Sequence, residues 1–297
     1  TLVYVINDMG RYKVILKHLE KDETDIILRG GQRNQLQRTD YNYPMVAWNS
    51  SGQELAIVFE KNDVIYLGQY DVYTDKFKQT EPITNQYQRI HSIAYKNNYR
   101  MLFSASINGF SDLFMYSLVD RQTTRITNDI WDDLDAQPAQ LDGRKGYIFA
   151  SNRPDTLNER KIRIDSVLPD AKFDIFFLPE DGSKLIRLTN TSNVNERQPL
   201  WVDETYFTFL SDKSGIRNRY LGEIEEYIHH YEQEVFFNDG DIGYFQQDTL
   251  LENVLDSVRL TEIDSVRIIP IIEKRGKSHP QTNLSYNIDY HKFNSNL

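Results

Sequence analysis

The chain has 297 residues, of which 39% are hydrophobic and 12% aromatic, and it contains no cysteine. The lack of cysteine excludes disulfides, thiolate metal sites and a thiol nucleophile, and no apolar stretch reaches the roughly 18 residues that would span a bilayer. The net charge is −10, but 12 acidic residues and one basic residue, Arg259, lie between Glu223 and Asp264. The remainder is nearly neutral and offers no basic face for nucleic acid.

The chain opens with three predicted strands and continues with four units of four predicted strands. Aromatic and β-branched residues that alternate with polar ones between turn residues are typical of half-buried strands. The first unit covers Leu2 to Asn7, Tyr12 to Leu16 and Asp25 to Leu28. The second covers Pro44 to Trp48, Leu55 to Phe59, Asp63 to Tyr70 and Phe77 to Thr84. The third covers Ile90 to Tyr95, Met101 to Ala105, Asp112 to Leu118 and Thr123 to Thr127. The fourth covers Asp135 to Leu141, Tyr147 to Ala150, Phe173 to Leu178 and Lys184 to Thr189. The fifth covers Pro199 to Val202, Tyr206 to Leu210, Arg219 to Ile224 and a last strand near Arg267 to Ile272.

The units repeat one pattern, which is clearest in the matching of Gln137-Pro138 with Gln198-Pro199. A threonine ends successive units at positions 84, 127, 189 and 282. The first interval fits a four-stranded propeller blade of about 40 to 50 residues, and loops absorb the extra length of the later ones. The sequence therefore predicts an all-β chain, a single β-propeller domain over residues 1–297. Five blades are visible, with insertions at 155–172 and 225–266.

Ring closure has two interpretations. The first unit lacks its innermost strand, and Ile288 to Phe293 alternate where a sixth unit would begin. Pairing of the two terminal strands would close a five-bladed ring and remove its exposed edges. In the other interpretation the chain is part of a larger propeller whose remaining blades lie beyond both ends. Both remain open at this point.

The units resemble the WD40-like propeller repeats of the TolB type. The resemblance is carried by the turn Trp48-Asn49-Ser50-Ser51-Gly52, by Phe209-Leu210-Ser211-Asp212 with Gly215, by Asp63-Val64-Ile65-Tyr66, Asp112-Leu113-Phe114 and Asp174-Ile175-Phe176, and by the Thr-Asn pairs that begin at 84, 127, 189 and 282. It implies a non-catalytic protein-interaction module of a bacterial cell-envelope or secretion assembly. It also implies an exported, periplasmic or cell-surface location, and the start at Thr1 suggests a processed protein or a fragment.

No catalytic or cofactor site is predicted. The chain has no Gly-x-Ser-x-Gly elbow and no phosphate-binding glycine loop, and the serines that follow strands (Ser104, Ser151 and Ser211) are interpreted as turn residues. His229-His230 with Glu232 and Glu234 is the one cluster with the composition of a metal site. Adjacent side chains on a strand point to opposite faces, so no metal site is predicted there.

The predicted binding residues lie at the mouth of the channel and in the acidic insertion. Trp131 is expected to be an exposed anchor among acidic neighbours, whereas Asp8, Asp63, Asp112, Asp174 and Asp212 recur once per unit and are interpreted as ligands of their own backbone. In the insertion, Glu223 to Val235 is predicted to form a hairpin arm and Thr249 to Leu260 has helical spacing. The candidates are Trp131, Asp133, Arg153, Asp212, Arg217, Glu225, Glu226, Tyr227, Tyr231 and Phe236. The expected partner is a protein with a basic surface, with no nucleic acid and no direct membrane insertion.

Two alternative functions are kept. The first is a propeller that gates a peptidase whose catalytic domain lies outside this chain. The second is glycan binding or lyase chemistry in the channel, which requires His or Arg side chains to converge on the axis. Under that alternative, Arg153, Arg197 and Arg217 must not be scattered over the outer surface.

Overall fold

The computed structural model describes residues 1–31, 40–83, 87–154, 156 and 172–292. Within them the chain forms five antiparallel sheets that follow one another in sequence, which confirms the prediction of an all-β propeller fold. The first sheet contains β1 (Leu2–Asp8), β2 (Arg11–His18) and β3 (Glu23–Gly31). The second contains β4 (Met45–Trp48), β5 (Glu54–Lys61), β6 (Val64–Asp71) and β7 (Lys76–Pro82). The third contains β8 (Arg89–Asn97), β9 (Arg100–Ile107), β10 (Phe110–Ser117) and β11 (Thr123–Arg125). The fourth contains β12 (Asp133–Leu141), β13 (Arg144–Ser151), β14 (Asp174–Pro179) and β15 (Ile186–Arg187). The fifth contains β16 (Glu196–Trp201), β17 (Tyr206–Ser211), β18 (Asn218–Phe237), β19 (Ile242–Gln246) and β20 (Ile263–Pro280).

Two-residue turns join several neighbouring strands. Met9-Gly10, Asn62-Asp63, Asn108-Gly109 and Asp142-Gly143 have positive φ at both residues, the conformation that matches the right-handed twist of a hairpin. Asn, Asp and Gly adopt it at low cost. Asn and Asp therefore supply turns that a glycine-poor chain still needs.

Four hydrophobic clusters join consecutive blades. Each contains fully buried side chains from two neighbouring sheets, and such close-packed burial contributes the largest share of folding stability. The clusters include Val14, Leu16, Leu55 and Ile57 between the first and second blades, Val58, Leu67, Phe103 and Phe114 between the second and third, Leu102, Leu113, Phe149 and Phe176 between the third and fourth, and Ile148, Phe177, Phe207 and Phe209 between the fourth and fifth. Among the described residues, no such cluster joins the fifth blade to the first.

The predicted closing strand is not formed by the part of it that the structure describes. Residues 288–292 lie outside any strand, and Phe293 lies outside the described residues. In the described ranges, β1 pairs only with β2. The terminal segment packs on the fifth blade instead, where the Ile288 amide donates to the carbonyl of Arg217 and His291 Nε2 donates to the carbonyl of Gln198.

A long β-arm extends from the fifth blade, as the hairpin prediction for Glu223 to Val235 required. β17 pairs with β18 only as far as Glu223, and beyond it β18 and β20 pair with each other to Phe237 and Ile263. β19 adds a third strand near the tip. The fourth strand of the blade is the C-terminal end of β20, from Gly276 to Pro280, so its prediction near Arg267 to Ile272 was wrong. The arm spans residues 225–275.

The helical prediction for Thr249 to Leu260 is confirmed only in part. That segment contains a 3-10 turn at Leu251–Asn253 and one five-residue helix, α1 (Ser257–Thr261). The Asp256 side chain caps α1 by accepting from the Arg259 amide. Along the described chain, no helix has the length and apolarity needed to cross a membrane.

The matching of Gln137-Pro138 with Gln198-Pro199 was also wrong. Asp133 faces Ser151 in the fourth blade as Glu196 faces Ser211 in the fifth. A β-bulge follows each of these two residue pairs. The bulge residue with positive φ is Asp135 in the fourth blade and Gln198 in the fifth. The structural equivalent of Gln198 is therefore Asp135. The predicted insertion at 155–172 and the Thr84-Asn85 pair lie almost wholly outside the described residues.

Candidate functional site

Three of the predicted binding residues meet in the interior between the third and fourth blades. Arg153 Nη2 lies 2.6 Å from Asp133 Oδ1 and 3.2 Å from Asp129 Oδ2, and the Trp131 amide donates to Asp129. Trp131 is 7% exposed, Arg153 3% and Asp133 fully buried. This corrects the prediction of an exposed anchor at Trp131, because a partner cannot reach these side chains without opening the interface between the blades.

The same interface holds three carboxylates whose oxygens lie within 4.8 Å of one another, those of Asp112, Asp129 and Asp133. Such a group has the donors for a cation, but guanidinium groups already neutralise it, Arg153 for two of them and Arg125 for Asp112. Burial raises the pKa of Asp133 to about 6. Burial lowers the pKa of Arg153 and its two carboxylate partners raise it, with a net rise, so the guanidinium keeps its charge. We interpret the cluster as a buried ion-pair network that holds the two blades together.

Three of the recurring acids, Asp112, Asp174 and Asp212, accept from backbone amides of their own blades, as predicted, whereas the same role for Asp8 and Asp63 stays a prediction. In the third blade, Asp112 accepts from the Thr127 hydroxyl and pairs with Arg125, while Thr127 Oγ1 accepts from the Leu113 amide at 3.0 Å. Each of these contacts joins the third strand of the blade to the last residue of its fourth strand or to the chain just after it. The threonine that ends the unit is therefore a hydrogen-bonding link within the blade.

The next two blades repeat this link. Thr189 Oγ1 accepts from the Ile175 amide at 2.8 Å and lies 3.5 Å from Asp174 Oδ1. In the fifth blade, Thr282 donates to Asn218 Oδ1 at 2.9 Å, so an asparagine takes the place of the aspartate. This explains why the threonine recurs even where the acid does not.

Two further predicted residues lie at the loop between β17 and β18. Asp212 is partly exposed and accepts from the Asn195 amide at 2.8 Å. Arg217 is half-exposed and pairs with Asp289 at 2.7 Å. Both groups are engaged within the chain, and the structure brings neither of them to the arm.

A cavity of about 870 Å³ lies between the first strands of the blades. Its lining includes Arg89, His91, Asp135, Arg197, Gln198 and His291. Arg197 pairs with Asp135 at 2.7 Å and stacks on the Phe173 ring. Of the three arginines that bear on the channel alternative, Arg197 thus lines the cavity, Arg153 is buried between blades and Arg217 is on the surface.

The two histidines of the cavity are held in the neutral form. Burial lowers the pKa of His291 to about 4, and burial followed by the nearby Arg89 charge lowers the pKa of His91. His91 Nε2 lies 2.6 Å from Ser106 Oγ, a contact that the sequence did not indicate. No carboxylate in the described ranges hydrogen-bonds to His91, so a Ser-His-Asp triad is not formed there.

The other five predicted residues lie along the arm and on both of its faces. Side chains alternate between faces along a strand, and directly paired residues share a face. Glu226 and Tyr231 lie on one face. Glu225, Tyr227 and Phe236 lie on the other.

The face that carries Tyr231 is apolar. The register places Ile228 opposite Ile272, Tyr231 opposite Pro270, Gln233 opposite Ile268 and Val235 opposite Val266. Five of these side chains are between 42% and 56% exposed. We call them the apolar face of the arm: Ile228, Tyr231, Val266, Ile268 and Ile272. Sequence analysis missed the three members from β20, because only the pairing shows that they adjoin Ile228 and Tyr231.

The arm is strongly acidic and is attached to the fourth blade. Residues 225–275 contain 12 acidic and 4 basic side chains, a net charge of −8. Lys184 of the fourth blade pairs with Glu273 at 2.7 Å, and Asp142 pairs with Lys274. The Gly276 amide also donates to the Leu188 carbonyl. These contacts fix the direction of the arm where it leaves the propeller.

Comparison with known proteins supports the fold. No protein-family model matches the sequence, and no curated protein matches it. TolB from Acinetobacter baumannii is similar in structure, with a TM-score of 0.52 and 18% identity over 84% of this chain and 53% of that one. A putative TolB from Agrobacterium tumefaciens has a TM-score of 0.50 and 12% identity over 73% and 67% of the two chains. A puromycin hydrolase has a TM-score of 0.50 and 8% identity over 72% and 31%.

The chain thus has a TolB-like β-propeller fold. Its match spans about half the length of the Acinetobacter structure. At identities below 20% these similarities concern the fold alone, and function has to be argued from the surfaces of this chain.

Proposed function

We propose that this chain is a non-catalytic β-propeller that binds a basic protein partner along its arm. The observation that carries the proposal is the apolar face of the arm, five half-exposed side chains on two paired strands with a net charge of −8 around them. Contiguous exposed apolar patches rimmed by polar residues are typical of protein interaction sites.

The two properties of the arm have different roles in binding. Burial of the apolar side chains supplies affinity, at roughly 25 cal/mol per Å² of apolar surface removed from water. The acidic residues attract a basic partner and orient it, which raises the association rate more than the affinity. Because exposed charges are screened within about 8 Å at physiological salt, we expect association to slow as salt is added while the contact itself persists.

The architecture suits such a role. The contacts of Lys184 and Asp142 hold the arm in one direction, so little conformational entropy is lost when a partner binds. The buried tip supports this, because Val235 and Phe237 are almost fully buried and Arg259 stacks on the Phe237 ring at 4.0 Å. A preorganised arm presents its apolar face before the partner arrives.

We further propose that the assembly belongs to the cell envelope or to a secretion system of a bacterium and that the chain is exported. Similarity to two TolB structures supports this part of the proposal through the fold. Fractionation of the native organism with an antibody to the chain tests it. Recovery of the protein with the cytosolic fraction alone would contradict it.

Site-specific photo-crosslinking tests the arm. A photoreactive residue at Tyr231 or at Ile268 is expected to capture one discrete protein in cells, and the same residue at Tyr73, which is exposed on the second blade, is expected not to. Equal products from Tyr73 and from the arm would refute the proposal.

A shortened arm provides the matched variant. Ile228 and Ile272 are direct partners, so replacing residues 229–271 by Asn-Gly closes a two-residue hairpin at that pair. The variant should fold with an unchanged fifth blade and lose the partner. If it keeps the partner with unchanged affinity, the binding surface lies elsewhere.

A second candidate function is a ligand site in the central cavity. The observation in its favour is that Arg89, His91, Arg197 and His291 line the same 870 Å³ cavity, which is the convergence that the channel alternative required. Titration of the protein with neutral and anionic oligosaccharides, followed by the chemical shifts of these histidines, tests it. Unchanged shifts at millimolar saccharide would remove this candidate.

The peptidase alternative concerns residues outside this sequence. The similarity to a puromycin hydrolase supports it only through the shared fold. The sequence of the parent open reading frame tests the peptidase alternative. A nucleophile elbow in a neighbouring α/β domain would favour a gating role for the propeller.

A further inference from the structure

The arm contains a β-bulge where two histidines follow one another. Ile228 pairs with Ile272 and His230 pairs with Ile271, so His229 is an extra residue with no partner of its own. A bulge places two consecutive residues opposite one and interrupts the alternation of faces. The rings of His229 and His230 accordingly lie with their centroids 4.9 Å apart. The expectation that the two adjacent histidine side chains point to opposite faces of the strand is therefore wrong at this position.

Two carboxylates stand beside the histidines. His230 Nε2 lies 3.0 Å from Glu232 Oε1, and His229 Nδ1 lies 3.6 Å from Glu273 Oε2. Neighbouring ligands of a tetrahedral ion with bonds of about 2.0 to 2.1 Å are about 3.3 Å apart. Each pair is therefore already spaced like two adjacent ligands of one ion.

Competing cations leave these donors available. Lys184 pairs with Oε1 of Glu273, whereas Oε2 faces His229 and accepts a longer hydrogen bond, of 3.4 Å, from the Tyr227 hydroxyl. In the described ranges no lysine or arginine pairs with Glu232. This differs from the buried acidic cluster between the third and fourth blades, where Arg153 lies in the position that a cation would take.

The side chains also have the freedom to converge. His229 is 49% exposed and His230 is 40% exposed, so solvent reaches one side of each ring although the rings of Tyr227, His229 and His230 adjoin one another. The donors form two separate pairs rather than one group, and a shared ion requires the two rings to turn toward each other. Imidazole nitrogen with carboxylate oxygen suits zinc, nickel or copper, whereas calcium and magnesium prefer oxygen ligands alone.

We propose that His229, His230, Glu232 and Glu273 form a binding site for a divalent transition-metal ion such as zinc. Because Glu273 belongs to β20 and the other three ligands to β18, the ion links the two strands at the bulge. It thereby stiffens the arm at the point where the alternation of faces is interrupted. Binding of the ion at the bulge does not require a partner on the arm.

Calorimetric titration of the full metal-free chain with zinc tests the site. We expect one zinc ion per chain, and replacement of a ligand in His229→Gln, His230→Gln or Glu273→Gln should weaken binding by at least about tenfold. His18→Gln is the matched control, because His18 also faces one carboxylate, that of Asp25, in the first blade. Absence of binding, or an equal loss in His18→Gln, would overturn the proposal.

Hydrogen exchange separates the built site from an adventitious surface ion. Zinc should slow exchange of the amides at residues 228–230 and 271–273, because a link between β18 and β20 suppresses local opening. It should leave the tip of the arm near Asp239 unchanged. Zinc binding without protection at the bulge would contradict the proposed link. Magnesium at the same concentration is expected to have no effect, and equal protection by magnesium would exclude a transition-metal site.

Discussion

At the scale of single residues, short polar side chains determine how each blade is held together. The hydroxyl of Thr189 satisfies a buried amide and a buried carboxylate at once. Thr127 and Thr282 make the corresponding contacts in their own blades. An unsatisfied buried polar group costs about 1 to 3 kcal/mol, which gives a physical reason for the recurrence of this residue.

Replacement of Thr189 by valine tests this role. The Ile175 amide and Asp174 would both lose a partner, and we expect the free energy of unfolding to fall by about 1 to 3 kcal/mol. Denaturant unfolding of the pure protein measures it. Thr124→Val, which removes an exposed hydroxyl in β11, is the control and should be nearly neutral. An equal loss in both variants would show that the hydroxyl of Thr189 has no special role.

Glu196 makes stability depend on pH. Burial raises its pKa to about 7, against a lowering contribution from the Thr189 hydroxyl, and its Oε2 has no hydrogen-bond partner in the described structure. The pKa in the unfolded chain is near 4.3, so the folded protein binds the proton more tightly. The carboxyl therefore costs stability as the pH rises from about 5 to 8.

Glu196→Gln removes this titration. Relative to the unmodified protein, the variant should gain about 2 kcal/mol between pH 5 and pH 8. Chemical denaturation at both pH values measures the gain. The exposed Glu204→Gln provides the control and should follow the unmodified protein. A parallel pH profile for Glu196→Gln would mean that Glu196 is ionised throughout this range.

At the scale of secondary structure, the arm is the element that departs from the repeat. It continues β18 and β20 beyond the blade without a break in their pairing apart from the bulges, so the strands of the blade themselves carry the arm. Two ion pairs with the fourth blade orient the arm relative to the propeller. Each is at least partly exposed and contributes little to global stability, but they lie where a small rotation moves the distal end of the arm.

Reversal of one charge in the attachment tests its role. Lys184→Glu would place two carboxylates together at Glu273, and we expect faster hydrogen exchange at the base of the arm with a change in global stability below about 1 kcal/mol. Adding Glu273→Lys to it should restore the pairing and the slower exchange. If the double variant exchanges as fast as the single one, the attachment does not depend on this ion pair.

At the scale of the whole molecule, four hydrophobic interfaces join five blades. In arrays of this kind stability is close to a sum of each unit and its neighbour contacts. The first blade has three strands and, within the described ranges, one hydrophobic interface. The third and fourth blades each have two such interfaces.

This arrangement predicts an order of opening. Native-state hydrogen exchange should show amides of β2 opening at a lower free energy than those of β9 and β13, since sub-global opening begins where fewest contacts are lost. β2 is the fair comparison because it is paired on both sides, like the other two strands. Equal protection of the three strands would indicate that the first blade is held by further contacts and that the ring behaves as closed.

Much of the fold was predictable from the sequence, because strand formation depends on local alternation and turns depend on local φ preferences. The pairs Asn108-Gly109 and Asp142-Gly143 show this, since their residues by themselves select hairpin turns. The predicted binding residues agreed less well with the structure. Trp131 and Arg153 are residue types that are common in binding sites. Their burial between two blades depends on tertiary packing, which no local sequence pattern indicates.

The sequence by itself therefore determined the all-β repeat, the acidic insertion and its hairpin character. Only the tertiary structure decided the face that each residue of the arm occupies, because pairing between Ile228 and Ile272, and the bulge after it, depend on the register of strands that are 44 positions apart. A one-residue change in register moves every side chain to the opposite face. The apolar face and the pairing of His229 with His230 follow from that register.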